Sequence, residues 1–110
     1  MLKRREKKRY IAIYFIKKEF QKQKKYVFNE IKNRAIELFG LINIEKSSLR
    51  YIEYSRNERV LIIRSALGYE EMIIASIAVL DLPLFTVSMS GTLRKLREEI
   101  ELFGNIDELE

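Results

Sequence analysis

Two stretches decide the fold: Tyr10-Ile11-Ala12-Ile13-Tyr14-Phe15-Ile16 (residues 10–16) and Arg59-Val60-Leu61-Ile62-Ile63-Arg64 (residues 59–64). Each holds a short apolar run without polar alternation, bounded by charge, which predicts a strand buried on both faces. Between them, Phe20 to Phe39 carries Val27, Phe28, Ile31, Ala35, Leu38 and Phe39 at the 3–4 spacing of one helix face, with Gly40 as a natural stop. Leu41 to Ser48 reads as a loop, although Leu41, Ile42 and Ile44 are unusually apolar for one. Leu49 to Tyr54 reads as a strand, and the turn at Ser55-Arg56-Asn57-Glu58 joins it to residues 59–64 as a hairpin.

Gly68 to Leu80 predicts a helix, with Glu70 and Glu71 in the first turn where the helix dipole favours acids. Pro83 opens a strand from Leu84 to Met89, where Phe85, Val87 and Met89 alternate with Thr86 and Ser88. Ser90-Gly91-Thr92 breaks it. A last helix runs from Thr92 to Phe103, with Leu93, Leu96, Ile100 and Phe103 on one stripe and Gly104 as its stop. The order is β-α-β-β-α-β plus an extra C-terminal helix. That predicts an α+β, ferredoxin-like sandwich on a four-stranded antiparallel sheet, with the first and third strands central. The expected organisation is a flexible basic leader at 1–9, one domain at 10–103 and an acidic tail at 104–110.

Charge is distributed unevenly along this plan. The 110 residues have a formal net charge of +5, but all 21 basic residues lie before Glu98 with only 10 of the acids, giving that part +11. So basic a body points to a polyanionic partner, nucleic acid first and an anionic membrane surface second. Cys and His are both absent. There is accordingly no thiolate nucleophile or ligand, and the commonest general base and neutral metal ligand are missing. Abundant Lys, Glu and Ile lean towards a thermophile. The apolar run after the basic leader sits at the short limit for a signal peptide, and Lys17-Lys18 follows it without a cleavage site. Residues 72–80 fall far short of a membrane span. These features predict a cytoplasmic protein.

The last helix reverses the usual charge order. Arg94, Lys95 and Arg97 lie near its start, and Glu98, Glu99 and Glu101 come later. Bases at a helix N-terminus oppose the dipole. Together with the N–H groups of Gly91 and Thr92 and the Thr92 hydroxyl, they would form a phosphate site. The alternative is mutual neutralisation through i,i+4 pairs Arg94–Glu98, Lys95–Glu99 and Arg97–Glu101. The first helix shows the same inversion, with Lys17, Lys18, Lys22, Lys24 and Lys25 at its N-terminal end. Lys3, Arg4, Arg5, Lys7, Lys8 and Arg9 of the leader form a second cluster before the first strand. Either cluster could instead be a solvated or solubilising surface.

Base stacking is disfavoured, because residues 59–64 hold no aromatic, and Tyr10, Tyr14 and Phe15 on the first strand read as core. Recognition of the phosphate backbone through Lys and Arg fits better. Leu41 to Ile44 and the Met72–Leu80 helix offer more apolar surface than one sheet covers, so either a protein partner or the extra helix lies over it. No Gly-rich phosphate loop, nucleophile elbow or paired-carboxylate spacing occurs, so no catalytic residue is assigned.

Several segments resemble archaeal ribonuclease P protein component 2. They are Arg9-Tyr10-Ile11-Ala12, Tyr51-Ile52-Glu53-Tyr54, Ile63-Arg64-Ser65 and, most of all, Ser88-Met89-Ser90-Gly91-Thr92-Leu93-Arg94-Lys95-Leu96. The last is similar to that family's V-S-G-T-[IL]-[KR]-x-[LI] signature, with Met89 in place of the usual Val. The likeness spans about Arg9 to Arg97. It implies a ferredoxin-like fold and a non-catalytic subunit of an endoribonuclease whose RNA, with bound magnesium, removes the 5′ leader from precursor tRNA. The protein itself would hold no cofactor. It also implies pairing with protein component 3, in assemblies that can hold two copies of each. Competing readings are a generic or ribosomal RNA-binding protein, a ferredoxin-like small-ligand regulatory module, and an acylphosphatase-type hydrolase. The last lacks its Gly and Arg in residues 17–21, and the +11 body disfavours the regulatory module.

Overall fold

The computed structural model describes residues 7–17 and 23–108, the last six through the backbone alone. The order is β1 (Lys8–Phe15), α1 (Lys24–Phe39), α2 (Leu41–Ser47), β2 (Arg50–Ile52), β3 (Val60–Ala66), α3 (Glu70–Ala78), β4 (Leu84–Ser90) and α4 (Leu93–Glu108). One antiparallel sheet has the order β2-β3-β1-β4. The two unbroken apolar runs are its central strands, and the ferredoxin-like sandwich is as expected from them.

Alternation on the central strands builds two cores. Ile11, Ile13 and Phe15 of β1, with Leu61 and Ile63 of β3, face Val27, Ile31 and Ala35 of α1 and Ile73 and Ile77 of α3. The alternate residues Ala12, Tyr14, Val60 and Ile62 face Leu96 and Ile100 of α4. The extra helix therefore covers the sheet face that a base-stacking module would leave open. Leu96 is fully buried there, a burial that contributes about 1.5–3 kcal/mol. Tyr14 is core, 6% exposed, as its strand predicted.

Four expectations need correction. Leu41 to Ser48 is not a loop, because α2 occupies Leu41–Ser47. Gly40, at φ 89°, ends α1 in a conformation open to glycine and restarts a helix at once. The amide of Asn43 donates to the Phe39 carbonyl at 2.8 Å, and Ile44 inserts into the core. Second, β1 begins at Lys8, so Lys8 and Arg9 lie in the sheet, opposite Ala66 and Ser65, rather than in the leader. Third, α4 stays helical through Gly104 to Glu108; a helical glycine costs about 1 kcal/mol against Ala and does not by itself end a helix. Fourth, the β1–β4 register shifts between Ala12 and Ile13, so Phe85 stands opposite Tyr14 while Met89 stands opposite Ile11. Phe85 and Met89 therefore do not share a face, and the alternation read along β4 is broken by a bulge.

Candidate nucleic-acid interface

Register gives the sheet two distinct ends. Lys8, Ala66, Ser90 and Arg50 lie at one, the Lys8 end, and Phe15, Val60 and Leu84 at the other, the Phe15 end. β1 has eight residues, so the ends are roughly 25 Å apart at ~3.3 Å per residue. Of the basic residues expected to touch RNA, Lys7, Lys8, Arg9, Arg94 and Lys95 gather towards the Lys8 end with Gly91 and Thr92, because β4 delivers the chain there before α4 begins, while Arg97, further along α4, lies within electrostatic reach of Tyr54. Lys17 follows β1 at the Phe15 end and does not join them. Lys3, Arg4, Arg5, Lys18 and Lys22 lie outside the described residues.

The start of α4 is capped from within. Thr92 Oγ1 accepts the Lys95 N–H at 3.2 Å, and the Thr92 carbonyl accepts the Leu96 N–H at 3.2 Å. Ser90 Oγ accepts the Thr92 N–H at 3.3 Å, so that amide is not free for a ligand as the sequence suggested. The remaining first-turn donors are the amides of Leu93 and Arg94, which have no partner among the described residues. The Thr92 hydroxyl keeps its own hydrogen for an acceptor.

Self-neutralisation is the alternative to ligand binding at this helix, and it is incomplete. Arg94 Nε pairs with Glu98 at 3.7 Å, both side chains being well exposed. Glu99 instead takes a hydrogen bond from Ser88 Oγ on β4, and Glu101 pairs with Arg56 at 3.1 Å from the β2–β3 loop. Lys95 and Arg97 are thereby left exposed without a carboxylate partner among the described side chains.

Two more cations join this end. Arg50 of β2 stands directly opposite Arg64 of β3, which stands opposite Tyr10 of β1. Neither arginine has an ion pair among the described residues, and the Arg64 Nε is buried with no hydrogen-bond partner. The same holds for the Nε of Arg9. An unsatisfied buried donor costs about 1–3 kcal/mol. A Cβ at Gly91 would lie 3.4 Å from Arg9 Nη1, so that guanidinium lies beside the turn. Lys7, Lys8, Arg9 and Gly91 line an open cleft of about 370 Å³. The sequence reading passed over Arg50 and Arg64 as site residues. Their signal was the hairpin: pairing centred on Asn57, in the predicted turn, sets the two arginines opposite each other.

At the Phe15 end Lys24 and Arg59 are engaged, while Lys17 and Lys25 are exposed. Lys24 Nζ donates to the Tyr54 carbonyl at 2.8 Å and the Asn57 carbonyl at 3.3 Å. Burial lowers the Lys24 pKa from its ordinary value, with Glu58 and Glu53 opposing that shift. Arg59 Nε donates to the Phe15 carbonyl at 3.2 Å and another of its nitrogens to Ile16, while the guanidinium lies 4.8 Å from the Tyr14 ring centroid. No three His, Cys, Asp or Glu side chains converge to hold a metal among the described residues. None of their helices is long and apolar enough to cross a membrane.

The sequence model of the Rpp14/Pop5 family matches residues 9–101. The chain belongs to the Rpp14/Pop5 family. It is thus a protein subunit of the ribonuclease P/MRP type of ribonucleoprotein. No curated protein sequence matches the chain. A chain in the cryo-EM structure of yeast ribonuclease MRP superposes with a TM-score of 0.53 at 14% identity, covering 96% of this chain and 99% of that one. At that identity the likeness is one of fold. The family match begins at Arg9 and ends at Glu101, so it takes in Arg9, Arg50, Arg64 and the capped start of α4 and leaves Lys7 and Lys8 outside.

Proposed function

We propose that this Rpp14/Pop5 protein grips the phosphate backbone of the ribonuclease P RNA at the Lys8 end of its sheet and supports that RNA in removing the 5′ leader of precursor tRNA. The observation that carries this reading is the diversion of Glu99 to Ser88 and of Glu101 to Arg56, which leaves Lys95 and Arg97 unpaired at a helix start. Charges that oppose a helix dipole and lack internal compensation are stabilised when phosphate oxygens approach them. The chain contributes no catalytic group: the RNA carries the chemistry, and magnesium belongs on the RNA. Neutralising phosphates lowers the cation concentration needed for the RNA to fold.

The protein partner in this reading is component 3, in an assembly that can hold two copies of each chain, within an archaeal cytoplasm. Exposed Leu38, Leu41 and Ile42 around the α1–α2 junction are available for a protein contact. Affinity capture of the full chain from native extract at low salt, followed by sequencing of the bound RNA, tests the proposal. Enrichment of ribonuclease P RNA is expected. Recovery of no structured RNA, or of ribosomal RNA alone, contradicts it.

A further inference from the structure

We infer that the cross-strand pair Arg50–Arg64 is a phosphodiester clamp, a second RNA contact beside the start of α4. The inference rests on the RNA-binding reading above and adds a contact to it. Arg50 and Arg64 occupy directly opposed positions on antiparallel strands. Like charges so placed destabilise a sheet. Among the described residues no carboxylate pairs with either arginine to relieve the repulsion. The Arg64 Nε is moreover buried without an acceptor. An anion lying between the two guanidiniums would remove the repulsion and supply acceptors to both, since each is a planar fork suited to phosphate.

The surroundings point to a polymeric anion rather than a small one. Arg50 and Lys32 line a cleft of about 350 Å³ that shares Glu45 and Ser48 with a larger one of about 570 Å³. That larger cleft shares Lys7 and Leu67 with the cleft beside Arg9 and Gly91. Along these adjoining clefts the basic Arg50, Lys32, Lys46, Lys7, Lys8 and Arg9 outnumber the one carboxylate, Glu45, a repeated positive charge that suits a polyanion.

The test uses the full chain with Arg50→Glu, and a folded transcript of the ribonuclease P RNA as probe. Arg50 is exposed on a three-residue edge strand, so the change leaves the cores untouched. It places a carboxylate opposite Arg64. The free variant should melt about 1–5 °C higher than the wild type, while binding RNA more weakly and with a salt slope shallower by about one or more. Arg64→Gln should reduce the slope in the same direction. A variant that melts no higher, or that binds RNA with unchanged slope, overturns the clamp. If Arg94→Ala, Lys95→Ala and Arg97→Ala together weaken binding while Arg50→Glu does not, the clamp fails and the proposed function stands. If neither does, both fail.

Discussion

Both ends of the sheet carry basic side chains, and the acceptors those side chains meet differ between the ends. At the Phe15 end, Lys24 bonds two carbonyls of the β2–β3 loop, Arg59 bonds two carbonyls at the close of β1, and Arg56 pairs with Glu101. At the Lys8 end Arg94 pairs with Glu98, but Arg50, Arg64 and Lys95 have no side-chain acceptor among the described residues. The first set of cations holds the fold together. The second includes two opposed like charges and a buried unsatisfied donor, which weaken the free protein slightly. Counting charges along the sequence does not separate these sets; the acceptor each cation meets does.

The largest expected effect tests what holds the Lys8 end in place. Leu96→Ala removes a fully buried side chain that pins α4 to the sheet. It should cost about 2–5 kcal/mol in denaturant unfolding, and lose RNA affinity with it because the helix start is no longer positioned. A cost below about 1 kcal/mol would mean that α4 is not docked as described.

A smaller effect sharpens the contrast from the other side. Lys24→Ala should destabilise the chain by about 1 kcal/mol, through two lost hydrogen bonds to carbonyls, and leave the salt slope of RNA binding unchanged. A shallower slope would put Lys24 among the RNA contacts instead. Arg56→Ala should cost less still, about 0.2–1 kcal/mol, since its pair with Glu101 is exposed.

The smallest effect is a pH dependence at the Phe15 end. Burial, reinforced by Glu101 and opposed by Arg56 and Arg97, raises the Tyr54 pKa above its ordinary 10.0. A group whose value is raised by folding contributes stability that is complete below the unfolded value and is lost as pH climbs through the folded one. Tyr54→Phe should therefore flatten the decline in melting temperature above pH 10. Lys24 acts with the opposite sign, because its value is lowered on folding and its penalty is relieved as the pH rises. An alkaline decline identical in Tyr54→Phe and wild type would remove Tyr54 as its source.

The central strands were legible because residues 10–16 and 60–63 are apolar without interruption, a pattern with few other uses in a chain this short. The β2–β3 hairpin and the inverted charge of α4 were legible for the same reason: both are local patterns. α2 was not, since seven residues hold too few turns to show a period and only Ile44 of its apolar residues enters the core. The cover that α4 gives the sheet, the caging of Lys24 and the opposition of Arg50 to Arg64 all depend on which strand lies beside which. Lys18 and Lys22 fall outside the described residues, so the sequence reading of the first helix start is tested at the Phe15 end through Lys17 and Lys25, both exposed.

The most direct measurement compares the ends by salt-dependent RNA binding, across roughly 50–200 mM salt, where each lost phosphate contact flattens the log–log slope by about 0.7–0.9. Three full-length proteins suffice: the wild type, a variant with Arg94, Lys95 and Arg97 changed to Ala, and a variant with Lys17 and Lys25 changed to Ala. The triple variant should show a slope shallower by about two to three, and the double variant a slope close to that of the wild type. Equal flattening in both, or flattening in the double variant alone, would contradict the assignment of RNA to the Lys8 end.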